Sequence, residues 1–232
     1  MHSLSALLLA AVAAVPAHAA IVRYDFTATV DAVYEVPAGA SSGGFVEASS
    51  MAGPTISNGD TWSGSLVYDT ALQLAAWQPE QPEGGIYRNY TGSITSTITD
   101  PETGLAFESR LTTTHLALMQ VYDMPAGTGP DVVSMHTYAP GSALEAGSFV
   151  FGDAHGSLLA SATPPAGLDL AAILYSSVTY AFRRDSGELM SAQATITSLS
   201  FTELPPVPEP STYAMLGLGL AALAMTKKLR RS

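Results

Sequence analysis

Cysteine is absent from all 232 residues. That excludes a disulfide framework, a thiolate metal site and a cysteine nucleophile within this chain. The fold must be held by burial, and about 185 residues between the two ends are enough for that. Cations are scarce too. Four of the nine Lys and Arg (Lys227, Lys228, Arg230 and Arg231) stand in the final six positions. Residues 20–204 keep only Arg23, Arg88, Arg110, Arg183 and Arg184 against nineteen acids, a balance of −14. Such a body is repelled by phosphate backbones and anionic headgroups, which argues against nucleic acid as a partner. No stretch of it holds a helical apolar period over three turns. There is no G-x-S-x-G, EF-hand loop or P-loop, so no catalytic residue, metal ligand or cofactor is assigned.

Long apolar runs occur only at the ends. Met1–Ala19 reads MHSLSALLLAAVAAVPAHA: an apolar run over Leu4–Val15, a break at Pro16, then the small residues Ala17 and Ala19 around His18. This is the pattern of a secretory signal peptide, its apolar part helical, cleaved after Ala19 by signal peptidase. At the other end, Val207–Pro210 is held out of helix and sheet by Pro208 and Pro210. Ser211 or Thr212 can cap the helix that follows. Tyr213–Met225 carries no charge and includes Leu216, Leu218, Leu220, Leu223 and Met225. It reaches about 20 Å, short of the roughly 30 Å hydrocarbon core. Thr226 and the snorkelling stems of Lys227, Lys228, Arg230 and Arg231 extend it, with Tyr213 at the opposite interface. A single transmembrane helix with a cytoplasmic basic tail is expected, everything before it lying outside.

The order Val207-Pro208-Glu209-Pro210-Ser211-Thr212, apolar span, basic terminus resembles the PEP-CTERM protein-sorting signal of exported bacterial proteins, also catalogued as an ice-binding-protein C-terminal domain. The resemblance implies recognition by exosortase, a membrane-embedded cysteine transpeptidase, and processing near Pro208-Glu209-Pro210. It also implies delivery to the cell envelope or an exopolysaccharide matrix. It carries no information on the body, and the ice-binding label is not evidence of ice binding. The logic parallels other tails in which an apolar segment is a temporary stop and is then removed.

Between the ends the chain reads as strands. Val22, Tyr24, Phe26, Ala28 and Val30 alternate with Arg23, Asp25, Thr27 and Thr29, a half-buried strand continuing to Pro37. Residues 38–58 read as a Gly/Ser/Ala loop with a short strand near Phe45, and Asn58-Gly59-Asp60 as a turn. Trp62, Gly64, Leu66 and Tyr68 share a face of the next strand. Leu72–Trp77 is a strand or a single helical turn. Ile86–Thr99 reads as one long polar strand, turned at Asp100–Gly104 into a hairpin with Leu105–Thr113. Further strands follow at His115–Tyr122, Val132–Tyr138 and Phe149–Phe151. Ile173–Arg183 and Met190–Glu203 form the clearest hairpin, joined through Arg184–Glu188. Recurrent turns predict an antiparallel all-β sandwich or jelly roll of eight to ten strands. The expected organisation is a signal peptide over 1–19, an exported β domain over 20–204 and the sorting signal over 205–232.

Candidate chemistry in the body is thin. His115, His136 and His155 share no ligand spacing, and separate histidines are the simpler reading. Gly152–Ser157 places Asp153, His155 and Ser157 on one loop, which reads as a turn, since a triad is recognised by geometry. Asp60 with Asp69, or Glu80 with Glu83, carry no special spacing for glycoside hydrolysis. Trp62, Trp77, Tyr87 and Tyr90 read first as packing and second as a sugar platform. The reading is an exported envelope or matrix protein with a structural or adhesive body, its partners exosortase, signal peptidase, the membrane and exopolysaccharide. A polysaccharide-active hydrolase or a carbohydrate-binding module is the alternative. Replacing Pro208, Glu209 and Pro210 with alanine is expected to leave uncleaved precursor in the membrane fraction, scored by immunoblot; normal processing would refute the assignment of the signal.

Overall fold

The alternation in residues 21–30 forms the strand around which the sheet is built. In the computed structural model, which describes residues 20–75, 85–110, 117–139 and 144–204, β1 runs from Ile21 to Val36 and buries every second side chain from Val22 to Val30. It pairs along its whole length with β14 (Leu189–Leu204), and on its other side with β5 (Thr61–Asp69) and β2 (Gly44–Val46). Two register shifts leave Asp31 of β1 and Thr197 of β14 as extra residues. Bulges of this kind bend the ribbon and increase its twist.

The remaining strands are β3 (Ala48–Ser49), β4 (Ile56–Ser57), β6 (Gln73–Leu74), β7 (Ile86–Thr91), β8 (Ile94–Asp100), β9 (Leu105–Glu108), β10 (Leu118–Asp123), β11 (Val132–Ala139), β12 (Leu144–Gly152) and β13 (Tyr175–Arg183). β3 and β4 pair apart. The other twelve form one sheet in the order β6-β7-β10-β11-β12-β13-β14-β1-β5-β8-β9, with β2 beside β1. Every pairing is antiparallel. The fold is all-β, and it is not the two-sheet sandwich or jelly roll expected. A single sheet curls into a half-barrel until β8 and β9 approach β11 and β12.

Small residues make the curl possible. A Cβ on Gly64 would lie 2.0 Å from the Thr97 carbonyl oxygen, and one on Gly147 would lie 2.9 Å from the Phe107 ring and 3.0 Å from Thr137 Oγ1. At that closure Ser96 donates to Thr137 Oγ1 at 2.7 Å, and Thr137 donates to the Gly147 carbonyl at 3.1 Å. The Arg110 amide donates to the Tyr138 carbonyl at 2.9 Å, tying the chain after β9 to β11. Inside lie Tyr24, Phe26, Trp62, Tyr68, Ile98, Phe107, Phe149, Phe151 and Tyr180, all buried.

One end of the half-barrel is capped by the connection between β12 and β13. Its Leu158, Ala162 and Leu168 are buried in the core. Three phenols pin it: Tyr90 donates to the Ala162 carbonyl at 2.5 Å, Tyr68 donates to the Pro165 carbonyl at 2.9 Å, and Tyr24 accepts from the Leu168 amide at 2.8 Å. Burial pushes the Tyr24 and Tyr68 hydroxyls above the ordinary phenol value, so both stay protonated.

The expected long strand over Ile86–Thr99 is two strands. The chain breaks at Gly92 and Ser93, and β7 pairs with β6 and β10 while β8 pairs with β5 and β9, far along the sheet. The short strand at Phe149–Phe151 is the end of the longer β12, and Leu72–Trp77 contributes the two residues of β6. No helix among the described residues is long and apolar enough to cross a membrane. The expected signal helix and transmembrane helix, over 1–19 and 205–232, lie outside the described residues. Gly147→Val is expected to destabilise the fold by about 3 kcal/mol through overpacking. Gly44→Val, where a Cβ meets nothing within 4 Å, should be close to neutral; urea unfolding of the two variants checks this.

Candidate functional site

The turn at Gly152–Ser157 is built around a buried acid. Asp153 is 3% exposed and Asp131 is fully buried. Asp153 Oδ1 accepts from the Asp131 amide at 2.8 Å and the Gly156 amide at 3.2 Å. Its Oδ2 accepts from the Ser157 amide at 2.6 Å and the Ser157 hydroxyl at 2.8 Å. Asp131 in turn accepts from the Met124 amide and the Leu159 amide, both at 2.8 Å. Gly156 sits at φ +63, and a Cβ there would lie 2.7 Å from the Met124 carbonyl oxygen. Two carboxylates therefore stitch together three segments: the end of β10, the start of β11 and the connection after β12.

Burial alone would raise the Asp153 pKa, but the summed donation from Ser157, Asp131 and Gly156 outweighs it and holds the carboxyl well below the usual range. A carboxylate held so firmly ionised is a poor proton donor or acceptor near neutral pH. Ser157 spends its hydroxyl on Asp153, and His155 is exposed with its carbonyl accepting from the Gly127 amide. The Asp, His and Ser of this loop make a turn, as expected, and no triad geometry.

The other candidates separate in the same way. His136 on β11 is partly buried, its Nδ1 2.8 Å from Ser148 Oγ, and burial lowers its pKa. His115 lies outside the described residues. Among the described residues no group of three or more acids and histidines is placed to hold a metal ion. Asp60 accepts from the Ser57 amide at 2.7 Å and Asp69 from the Ala71 amide at 2.8 Å, both as turn caps. Glu80 and Glu83 lie outside the described residues.

Of the aromatic candidates, Trp62 and Tyr90 are core, and Trp77 lies outside the described residues. Tyr87 is the exception. Its ring sits 6.4 Å from that of Tyr122 at an angle of 59°. The pair lines a shallow groove of about 430 Å³ with Gln120, Val132 and Ser134 on the face of β7, β10 and β11. Gln120 Nε2 donates to Tyr87 Oη and, at 3.1 Å, to Asn89 Oδ1. Ser134 donates to Gln120 Oε1 at 3.2 Å. Gln120, Tyr122 and Ser134 carry no local sequence signal: they come from two further strands, and only the pairing of β7 with β10 and of β10 with β11 brings them to Tyr87.

The remaining assignments fall on the C-terminal stretch. The family model for the PEP-CTERM protein-sorting motif matches residues 206–231. The chain carries a PEP-CTERM sorting signal. The match takes in Val207, Pro208, Glu209, Pro210, Ser211 and Thr212, the apolar residues Tyr213 to Met225 and the basic Lys227, Lys228, Arg230 and Arg231. These positions, with Ala17 and Ala19 of the expected signal-peptidase site, lie outside the described residues. A PEP-CTERM signal implies recognition by exosortase, export and membrane-associated processing. No curated protein and no solved structure matches the chain.

Because the folded pKa of Asp153 lies below its unfolded value of about 3.9, its contribution to stability is present above that value. It is lost as the pH falls through it toward the folded pKa. Asp153→Asn is expected to cost about 2 kcal/mol at pH 7 and to flatten the fall of Tm between pH 6 and pH 3, read by calorimetry on both proteins.

Proposed function

We propose that residues 20–204 are the cargo of this signal: a structural or adhesive β domain that exosortase releases from its C-terminal anchor and leaves at the cell envelope or in the extracellular matrix. The observation that carries the reading is the sorting motif at 206–231 directly following a strongly acidic β body. In the proposed sequence of events, signal peptidase cuts after Ala19 and the acidic body crosses the membrane. The apolar run then pauses in the bilayer with its cationic end inside. Exosortase cuts near Pro208-Glu209-Pro210, where the prolines keep the backbone extended and open to a protease. The described acids support a structural reading, because Asp60, Asp69, Asp131 and Asp153 are committed to backbone amides of turns.

One observation favours a second reading for the same exported body. The groove beside Tyr87 and Tyr122 presents aromatic faces, an amide and a hydroxyl, with no charged side chain among its described lining residues. That is the chemistry that stacks on and hydrogen-bonds to a neutral polysaccharide. Mass spectrometry of the mature protein from envelope and medium is expected to find termini at Ala20 and next to Pro208–Pro210. A protein that keeps Tyr213–Met225 in its final location would overturn the release step. Sedimentation with insoluble neutral glucans separates the two readings. The structural reading expects the same unbound fraction for the parent and for Tyr87→Ala/Tyr122→Ala, and the second reading expects binding that the double variant loses at least tenfold.

A further inference from the structure

β13 and β14 are unequal partners. β13 covers the edge of β14 only from Leu189 to Thr195, where Ser177 is its last partner. β14 continues to Leu204 against β1 alone. Residues 196–204 therefore present a backbone edge with no ladder partner among the described residues. Where the two strands part, a cleft of about 200 Å³ opens, lined by Leu170, Ile173, Ser176 and residues 196–199. Leu174 is 71% exposed and Phe201 38% exposed at its margins.

Natural sheets blunt such edges with charge, proline or a covering loop. The other ends of this sheet conform: β6 is two residues long, β9 ends at Glu108, and the chain after it carries Arg110 and is tied to Tyr138. The tail of β14 has no such charge or proline up to Thr202, although Leu170 and Ile173 of the β12–β13 connection border residues 196–199. From Leu189 to Thr202 it has no charged residue, no proline and no glycine, in a body of charge −14. For two copies of so acidic a domain, this is where mutual repulsion is weakest.

We propose that residues 196–204 pair antiparallel with the same residues of a second copy, making a two-fold homodimer with one sheet running through both. The sequence is complementary to itself in the register centred on Ser200. Leu199 then faces Phe201, Ile196 faces Leu204 and Ser198 faces Thr202, while the carboxylate of Glu203 faces Thr197 and not its own copy. Aliphatic–aromatic cross-strand pairs stabilise, and like charges directly opposite do not. Length fits as well. The partner's strand reaches Leu204 opposite Ile196, and Pro205 and Pro206, which cannot donate to a ladder, follow where β13 takes over at Thr195. Leu199 and Phe201 lie on the core side of β14, opposite Phe26 and Tyr24. The shared sheet therefore joins the two apolar faces edge to edge.

The absence of cysteine gives a clean test. In this register Ser200 meets its own copy with Cα atoms about 4.5–5.5 Å apart, within disulfide reach. Ser200→Cys in the exported, processed protein is expected to cross-link to a dimer under mild oxidation, at least fivefold above Ser186→Cys on the exposed turn between β13 and β14. Ser200→Lys is expected to weaken self-association at least tenfold in analytical ultracentrifugation, and mixing it with Ser200→Glu to restore the dimer. Ser200 is exposed, so both charged variants should melt like the parent at concentrations too low for dimers to form. A parent that stays monomeric at 100 µM overturns the proposal. So does a dimer that survives Ser200→Lys without cross-linking at Ser200→Cys, and so does an edge occupied in the recovered protein by a different chain.

Discussion

A β-sheet with one apolar face has to hide that face, and this chain hides it against the rest of the same sheet. Everything else in the body follows from that closure. Among the described residues only the short β3–β4 pair stands outside this sheet, so the curl must be tight enough for Phe107 and Tyr180 to meet, with ring centroids 5.8 Å apart, across what would otherwise be open space. The tightness is bought with small side chains at Gly64 and Gly147 and with hydroxyls at Ser96 and Thr137 that hydrogen-bond where backbones come close. A half-barrel still has open ends. The three phenols that hold the β12–β13 connection over one of them combine large buried rings with hydroxyls that satisfy backbone groups no strand reaches.

Charge plays a divided part in this architecture. The three ion pairs among the described residues, Arg23–Asp25, Arg110–Glu108 and Arg184–Glu188, are between largely solvent-facing side chains. Pairs of that kind contribute about 0–1 kcal/mol each. The acids buried in the fold, Asp100, Asp131 and Asp153, meet no cation among the described residues. Asp131 and Asp153 are stabilised by backbone and hydroxyl donors, which serve as well as an ion pair and need no second charge in the interior. In a chain with five arginines in its whole body, amides are the donors in supply.

Local sequence carried the strands and not their arrangement. The period of two in Val22–Val30 corresponds to a buried face residue by residue, that in Trp62–Tyr68 does so at every position but Gly64, and the turns at Gly59, Gly104 and Gly187 all take positive φ. The hairpin of β13 and β14 was legible because both its arms and its turn are contiguous. Sandwich and half-barrel are indistinguishable at that level, because the difference lies in whether β8 and β9 fold back over β11 and β12. That depends on contacts between residues as distant as Ser96 and Thr137. The break inside Ile86–Thr99 was hidden for a related reason: threonine and serine suit either strand, and only their partners show that Thr91 and Thr95 belong to different parts of the sheet. Nothing local marks Asp131 and Asp153 as buried, because burial of a carboxylate depends on donors from other segments. The sorting signal was readable in full, since its information is linear: prolines, an apolar run and a cationic end, in that order.

That contrast bears on how the two parts of the chain relate. A linear signal makes no demand on the fold that precedes it, so the body is free to be shaped by what it does after delivery. β14 is the strand on which such shaping would show. To complete the half-barrel it needs an inward face at Met190, Ala192 and Ala194, and it has one. Core packing does not dictate the outward residues Ser198, Ser200 and Thr202, which are exposed. A lysine or proline at any of them would have protected the edge that β13 abandons at Thr195, at little cost to the interior. The chain instead stays uncharged to Thr202 and keeps its prolines back until Pro205. An edge unpaired among the described residues, on a strand whose sequence sets apolar against apolar and polar against polar when laid on its own reverse, is what selection for pairing between copies would leave.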